Sequence, residues 1–91
     1  VFLLVECLAE AGRAVGLDPD LAMQLASATI SGSGELLRQS GLEPSTLRKN
    51  VTSPGGTTAA ALAVLMAEDG LQPLMTRAVE AATRRSRELS G

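Results

Sequence analysis

Histidine, tryptophan and tyrosine are absent from this 91-residue chain, which has one phenylalanine, Phe2, and one cysteine, Cys7. Without histidine there is no Ser–His or Cys–His nucleophile pair and no imidazole metal ligand. A single cysteine closes no intrachain disulfide and supplies no Cys/His zinc spacing. A catalytic thiolate needs electropositive surroundings. Cys7 has Glu6 and Glu10 nearby, within an apolar run, so it is expected as a buried small hydrophobe. Neither sign of charge dominates. Eight basic against ten acidic residues give a net charge of −2, which argues against a dedicated nucleic-acid or polyanion binder. Long apolar runs are also missing. The opening VFLLVECLAEA is broken by Glu6 and Glu10, too soon for a membrane span. It has no basic segment and cleavage site of the kind a signal peptide carries. A cytoplasmic protein is expected, with no membrane and no nucleic acid among its partners. The chain opens in mid-pattern, without Met or a helix cap before Val1, so more protein is expected upstream.

What is present is small and apolar. Hydrophobic residues make up 45% of the chain, mostly Ala, Leu, Val and Met, a mix suited to closely packed helices. So many small apolar faces on a short chain, which buries a smaller share of its surface than a long one, predict burial against a partner. Periodicity predicts a helix over 1–15, with Leu4, Leu8, Ala11 and Val15 on one face and Gly16 as its C′ residue. Asp18 followed by Pro19 is an N-cap and N1 pair, opening a second helix to about Gln39. Its face carries Leu21, Leu25, Ala28, Leu36 and Leu37. Gly32 and Gly34 cost this helix about 1 kcal/mol each relative to alanine. They are expected to mark a close helix–helix approach, since Ala22, Ala26 and Ala28 are also small. A short helix follows over 44–50, capped near Glu43. A fourth spans 58–68, with Ala61, Leu62, Leu65 and Met66 as its apolar set. A last one runs from Pro73 to about Leu89, with Leu74, Ala78, Ala81 and Ala82 inward. No segment alternates with period two over a strand's length. The predicted class is all-α, a small bundle of about five helices.

Between the third and fourth helices lies VTSPGGTT, Val51 to Thr58. The first turn of a helix has N–H groups without intrahelical partners, and with the helix dipole they favour an anion. Gly55 and Gly56 remove side chains that would keep a ligand from the backbone. Ser53, Thr57 and Thr58 add hydroxyls. The loop is predicted to hold something small and negatively charged. It is not a Walker loop, lacking GK[ST] and a preceding strand, and it is not a dinucleotide fingerprint.

Other clusters read more simply. Glu68 with Asp69, and Asp18 with Asp20, are cap and surface charges. Met23, Met66 and Met75 are expected as core filler. Arg84, Arg85 and Arg87 read as a solvated helix end, where cations suit the dipole. No residue set offers a nucleophile beside a base.

The run LRKNVTSPGGTTAAALAVL, Leu47 to Leu65, resembles the signature of the pyrroline-5-carboxylate reductase family. VECLAEAGRAVGLDPDLAMQLA resembles the helical stretch that precedes it, and AVEAATRRSREL resembles the family's last helix. The resemblance covers essentially the whole chain, and its specific part is the loop. It implies that residues 1–91 are a C-terminal helical domain for dimerisation and substrate binding. An N-terminal Rossmann domain, outside this chain, would bind NADPH or NADH. The family reduces pyrroline-5-carboxylate to L-proline, the last step of proline synthesis. Its helical domains interlock as a homodimer, and in many members dimers assemble further, often to decamers. By similarity, the substrate carboxylate is held by Ser53 and by backbone N–H groups of Gly56, Thr57 and Thr58. Gly55 lets the turn form. The Thr58 hydroxyl lies near the substrate's ring nitrogen and is the residue assigned to catalysis. Asn50 and Val51 lead into the loop and shape the wall of the site. Lys49 falls where some members carry an acid and takes no role. The alternatives are a non-catalytic helical dimerisation module, or a helical substrate domain of another NAD(P)-dependent dehydrogenase. L-Proline would leave the melting of the former unchanged, and the latter would act on a different small acid.

Overall fold

A computed structural model describes all 91 residues as five helices without strands: α1 (Phe2–Ala14), α2 (Pro19–Ser40), α3 (Pro44–Asn50), α4 (Thr57–Leu65) and α5 (Leu71–Ser90). The chain divides into two compact units, Val1–Leu47 and Arg48–Gly91. The predicted all-α class is the observed one.

In the first unit α1 stops where a left-handed residue is cheapest. Gly16 has φ of 111°. Its N–H donates to the Arg13 carbonyl at 3.0 Å, and the Leu17 N–H donates to that of Gly12 at 3.0 Å. This pair of reverse bonds is a Schellman motif with glycine at C′. Asp18 then caps α2. Its Oδ2 accepts from the N–H groups of Asp20 at 3.1 Å and Leu21 at 3.2 Å, with Pro19 opening the helix. Replacing this cap by Asp18→Ala is expected to lower unfolding stability by about 1 kcal/mol, with Asp18→Asn close to wild type, as read by denaturant titration.

The two helices pack against one another through alanine. Ala9, Ala22 and Ala26 are the only buried residues of the chain. Small side chains allow this close approach, which falls at Ala22 and Ala26 and not at the glycines of α2 where it was expected. The leucine faces expected to turn inward do not. Leu4, Leu8, Leu21, Leu25, Leu36 and Leu37 are all exposed, and Val15 is 84% exposed. Cys7 is exposed rather than buried, because the side of α1 that meets α2 is the one carrying Ala9. Gly32 and Gly34 have nothing of this chain within 4 Å of where a Cβ would stand. The close packing expected there is therefore not made within the chain, and α2 runs through both glycines unbroken.

Surface charges pair along helices. Arg13 donates from Nε to Glu10 at 2.9 Å and Arg38 to Glu35 at 3.2 Å, and Arg85 meets Glu88 at 3.0 Å. Hydrogen bonds from Arg13 and Arg38 hold the Glu10 and Glu35 carboxyls below the usual carboxylate range. That contribution is present above the unfolded carboxylate pKa and is lost as pH falls through the lowered values. Both carboxylates are exposed, so salt screens the effect.

In the second unit two boundaries differ from expectation. Helix α4 ends at Leu65, not Glu68. The N–H groups of Met66 and Ala67 turn back to the Leu62 and Val64 carbonyls at 2.8 and 3.3 Å. Helix α5 starts at Leu71, two residues before Pro73. Proline is tolerated throughout a first turn, where its missing N–H has no intrahelical partner to lose. Nothing in α4 or α5 is buried. Met66 and Met75 are 62% and 50% exposed, and Met23 in α2 is exposed as well, so none fills a core. Helix α4, TTAAALAVL, is apolar on every side, the pattern of a helix surrounded by protein. No helix is long and apolar enough to cross a membrane.

Candidate functional site: the loop before helix α4

The site is built from the end of α3, a turn, and the start of α4. Thr52 closes α3. Its N–H donates to the Lys49 carbonyl at 3.1 Å and its hydroxyl to the Arg48 carbonyl at 2.5 Å. Ser53, Pro54, Gly55 and Gly56 then form a β-turn, with the Gly56 N–H donating to the Ser53 carbonyl at 2.9 Å. Gly55, third in the turn, has φ of 72°. With proline second, that is a type II turn, which needs glycine at its third position and is favoured by proline at its second. Sequence alone dictates this element.

Gly56 is also the N-cap of α4, in extended conformation. The first intrahelical bond is Ala60 N–H to the Gly56 carbonyl at 3.1 Å. The N–H groups of Thr57, Thr58 and Ala59 therefore have no protein acceptor, and no side chain caps them. The hydroxyls of Ser53, Thr57 and Thr58 take part in none of the chain's side-chain hydrogen bonds, which involve other hydroxyls such as those of Thr29, Thr52 and Thr83. Ser53 and Thr57 are exposed, while Thr58 and Ala59 are half-buried. The first turn of α4 carries no acidic residue, so no charge of the helix opposes an anion there.

One assignment changes. The Gly56 N–H was expected to reach a ligand, but it is committed to the turn. Gly56 instead makes room. A Cβ there would stand 3.2 Å from the Ser53 carbonyl oxygen, crowding the turn that sets the loop. The third free amide belongs to Ala59. Counting the helix from Gly56 as N-cap places Ala59 third among its residues, within the unpaired first turn. Ser53, Gly55, Gly56, Thr57 and Thr58 all fall within this one turn-and-helix start, with Asn50 and Val51 at its entrance. An open cleft lined by Leu62, Leu65, Met66, Leu71 and Met75, with Arg48 and Gln72 at its edge, includes none of residues 51–58.

The fold and loop define an all-helical module that buries only three alanines and leaves most of its large apolar side chains uncovered. The family described as pyrroline-5-carboxylate reductase dimerisation matches residues 1–89. The chain belongs to that family. It is similar to the pyrroline-5-carboxylate reductase of Pisum sativum, 46% identical over 90 residues that take in 99% of this chain and 33% of the relative. The reductase of Corynebacterium melassecola is 43% identical over 89 residues, 98% of this chain and 33% of that protein. Among solved structures, the pyrroline carboxylate reductase of Plasmodium falciparum with NADP bound superposes with a TM-score of 0.91 at 34% identity. The match covers 99% of this chain and 34% of that one. The chain thus spans about a third of the length of these relatives.

Proposed function

We propose that the whole protein is a pyrroline-5-carboxylate reductase, reducing 1-pyrroline-5-carboxylate to L-proline with NADPH or NADH in proline biosynthesis. In this reading residues 1–91 supply the substrate carboxylate loop and the dimer interface. The observation that carries the proposal is the set of three free amides on α4, flanked by the unpaired hydroxyls of Ser53, Thr57 and Thr58. The substrate is a small carboxylate, and the loop is an anion site. Ser53 Oγ and the N–H groups of Thr57 and Thr58 hold the carboxylate. Gly55 and Gly56 shape the turn that aims them, and the Thr58 hydroxyl faces the ring nitrogen.

Five helices without a strand offer no Gly-rich strand-to-helix turn for a dinucleotide, so NAD(P)H does not fit this chain and is assigned to the rest of the protein. When bound, the cofactor supplies the hydride. The work of these residues is orientation, which converts a chance encounter into a fixed geometry. A protonated imine is already electrophilic, so a chain without histidine or tyrosine suffices for the positioning role. Two copies interlock as a homodimer, with a decamer of five dimers as the further assembly, in a cytoplasmic protein.

The test is cofactor oxidation by the full-length protein with pyrroline-5-carboxylate. Thr58→Ala is expected to lower kcat/KM about 10- to 100-fold, the scale of one hydrogen bond to a charged group, with unchanged melting. A folded variant with wild-type kinetics counts against the Thr58 role. No wild-type turnover with either nicotinamide cofactor overturns the assignment of the reaction.

A further inference from the structure

The segment between α3 and α4 is held by very little. Residues 51–56 donate three hydrogen bonds in all, and two of them come from Thr52. Those two end on the Arg48 and Lys49 carbonyls, which the end of α3 leaves without partners. The third, Gly56 N–H to Ser53 carbonyl, belongs to the turn that leads into α4. One peptide link, Thr52 to Ser53, therefore joins what is fixed to α3 and what is fixed to α4. Thr52 is half-buried, whereas Asn50, Val51, Ser53, Pro54 and Gly55 are all exposed. No other side chain ties the entrance of the loop to the helix before it.

We infer that Thr52 is a positioning residue for the carboxylate loop: its hydroxyl, bonded to the Arg48 carbonyl, fixes where Ser53 Oγ stands relative to the free amides of α4. The inference rests on the reductase reading above. Thr52 itself touches no substrate. Without its hydroxyl the Arg48 carbonyl loses its acceptor role, the end of α3 frays, and Ser53 samples orientations in which its oxygen and the Thr57 and Thr58 amides no longer converge. The substrate then meets a site that is correctly organised only part of the time, which raises the apparent dissociation constant in proportion.

The experiment compares wild type, Thr52→Val and Thr52→Ser in the full-length protein, with pyrroline-5-carboxylate and NADPH each varied in turn. Valine matches threonine in shape and removes only the hydroxyl. Thr52→Val is expected to raise KM for the imine about 2- to 10-fold, the scale of one neutral hydrogen bond, leaving KM for NADPH at the wild-type value. Thr52→Ser keeps the hydroxyl and is expected to restore KM. A hydroxyl that serves only folding would lower the melting temperature and the active fraction without moving KM for the imine. That result overturns the inference, as does a Thr52→Ser variant as impaired as Thr52→Val. Wild-type protein that fails to reduce the imine overturns the reaction assignment and this inference with it. Wild-type turnover with equal KM in Thr52→Val overturns the inference alone.

Discussion

The 91-residue chain is expected to sediment as a dimer at micromolar concentration, with no folded monomer, and Val79→Asp is expected to abolish its cooperative unfolding. The reason is how few apolar side chains the chain buries within itself. Only Ala9, Ala22 and Ala26 are buried. Phe2 is 88% exposed, Val64 72% and Val79 61%, and no large side chain is fully buried. A second copy that covers these side chains would form the more hydrophobic kind of interface that obligate dimers have. The apolar stripe of α5, Leu71, Leu74, Met75, Ala78, Val79 and Ala82, is the natural contributor, because its opposite face carries Arg77, Glu80, Arg84 and Arg87. An aspartate at Val79 loses the burial of the valine and places an unpaired charge in the interface, about 3 kcal/mol per chain. A two-fold interface counts that loss twice, a large fraction of a typical domain's whole stability. Sedimentation together with far-UV circular dichroism reads the outcome. A well-folded, cooperatively melting monomer, with or without the substitution, would refute the expectation. For the wild type the midpoint of unfolding should rise with chain concentration.

This surface also explains which parts of the molecule were legible in the sequence. The loop read well because its determinants are local. Pro54 and Gly55 specify the type II turn by themselves, Asp18 and Pro19 specify the start of α2, and Gly16 specifies the end of α1. Helical periodicity gave α1, α2 and α5 because each carries an apolar stripe whatever eventually covers it, while α3 and α4 were marked by their flanking proline and glycine residues. Burial read poorly for the same reason. Periodicity says that Leu4 and Leu8, or Leu74 and Ala78, share a face, but not whether that face meets this chain or another. The alanines that pack α1 on α2 stand out less in the pattern than the leucines that this chain leaves open. The commitment of the Gly56 N–H was also hidden. It depends on a hydrogen bond within the turn, and the residue type alone is equally consistent with a free amide.

Gly70 shows a third kind of information that residue type conceals, and it carries the other large effect: Gly70→Val is expected to destabilise the folded chain by at least about 3 kcal/mol. In the fold it is the N-cap of α5, and its φ of −83° is one that any residue adopts. Space is what demands glycine. A Cβ at Gly70 would stand 2.3 Å from the Leu65 carbonyl oxygen, 2.8 Å from its carbon and 2.9 Å from the Ala67 carbonyl oxygen. All three are backbone atoms at the end of α4, so no side-chain rotation relieves the contact. The Gly70 N–H donates to the same Ala67 carbonyl at 2.9 Å, and a side chain that pushed the backbone away would break that bond too. Any residue larger than glycine must shift α5 against α4, and alanine already supplies the offending atom. Gly70→Ala is therefore expected to show most of the loss seen with Gly70→Val. Were torsion the cause, the two would differ, since β-branched valine is more restricted than alanine. Denaturant unfolding at fixed chain concentration measures both. An alanine variant as stable as wild type would mean that the turn after α4 yields at little cost, and that its tight geometry does not set the direction of α5.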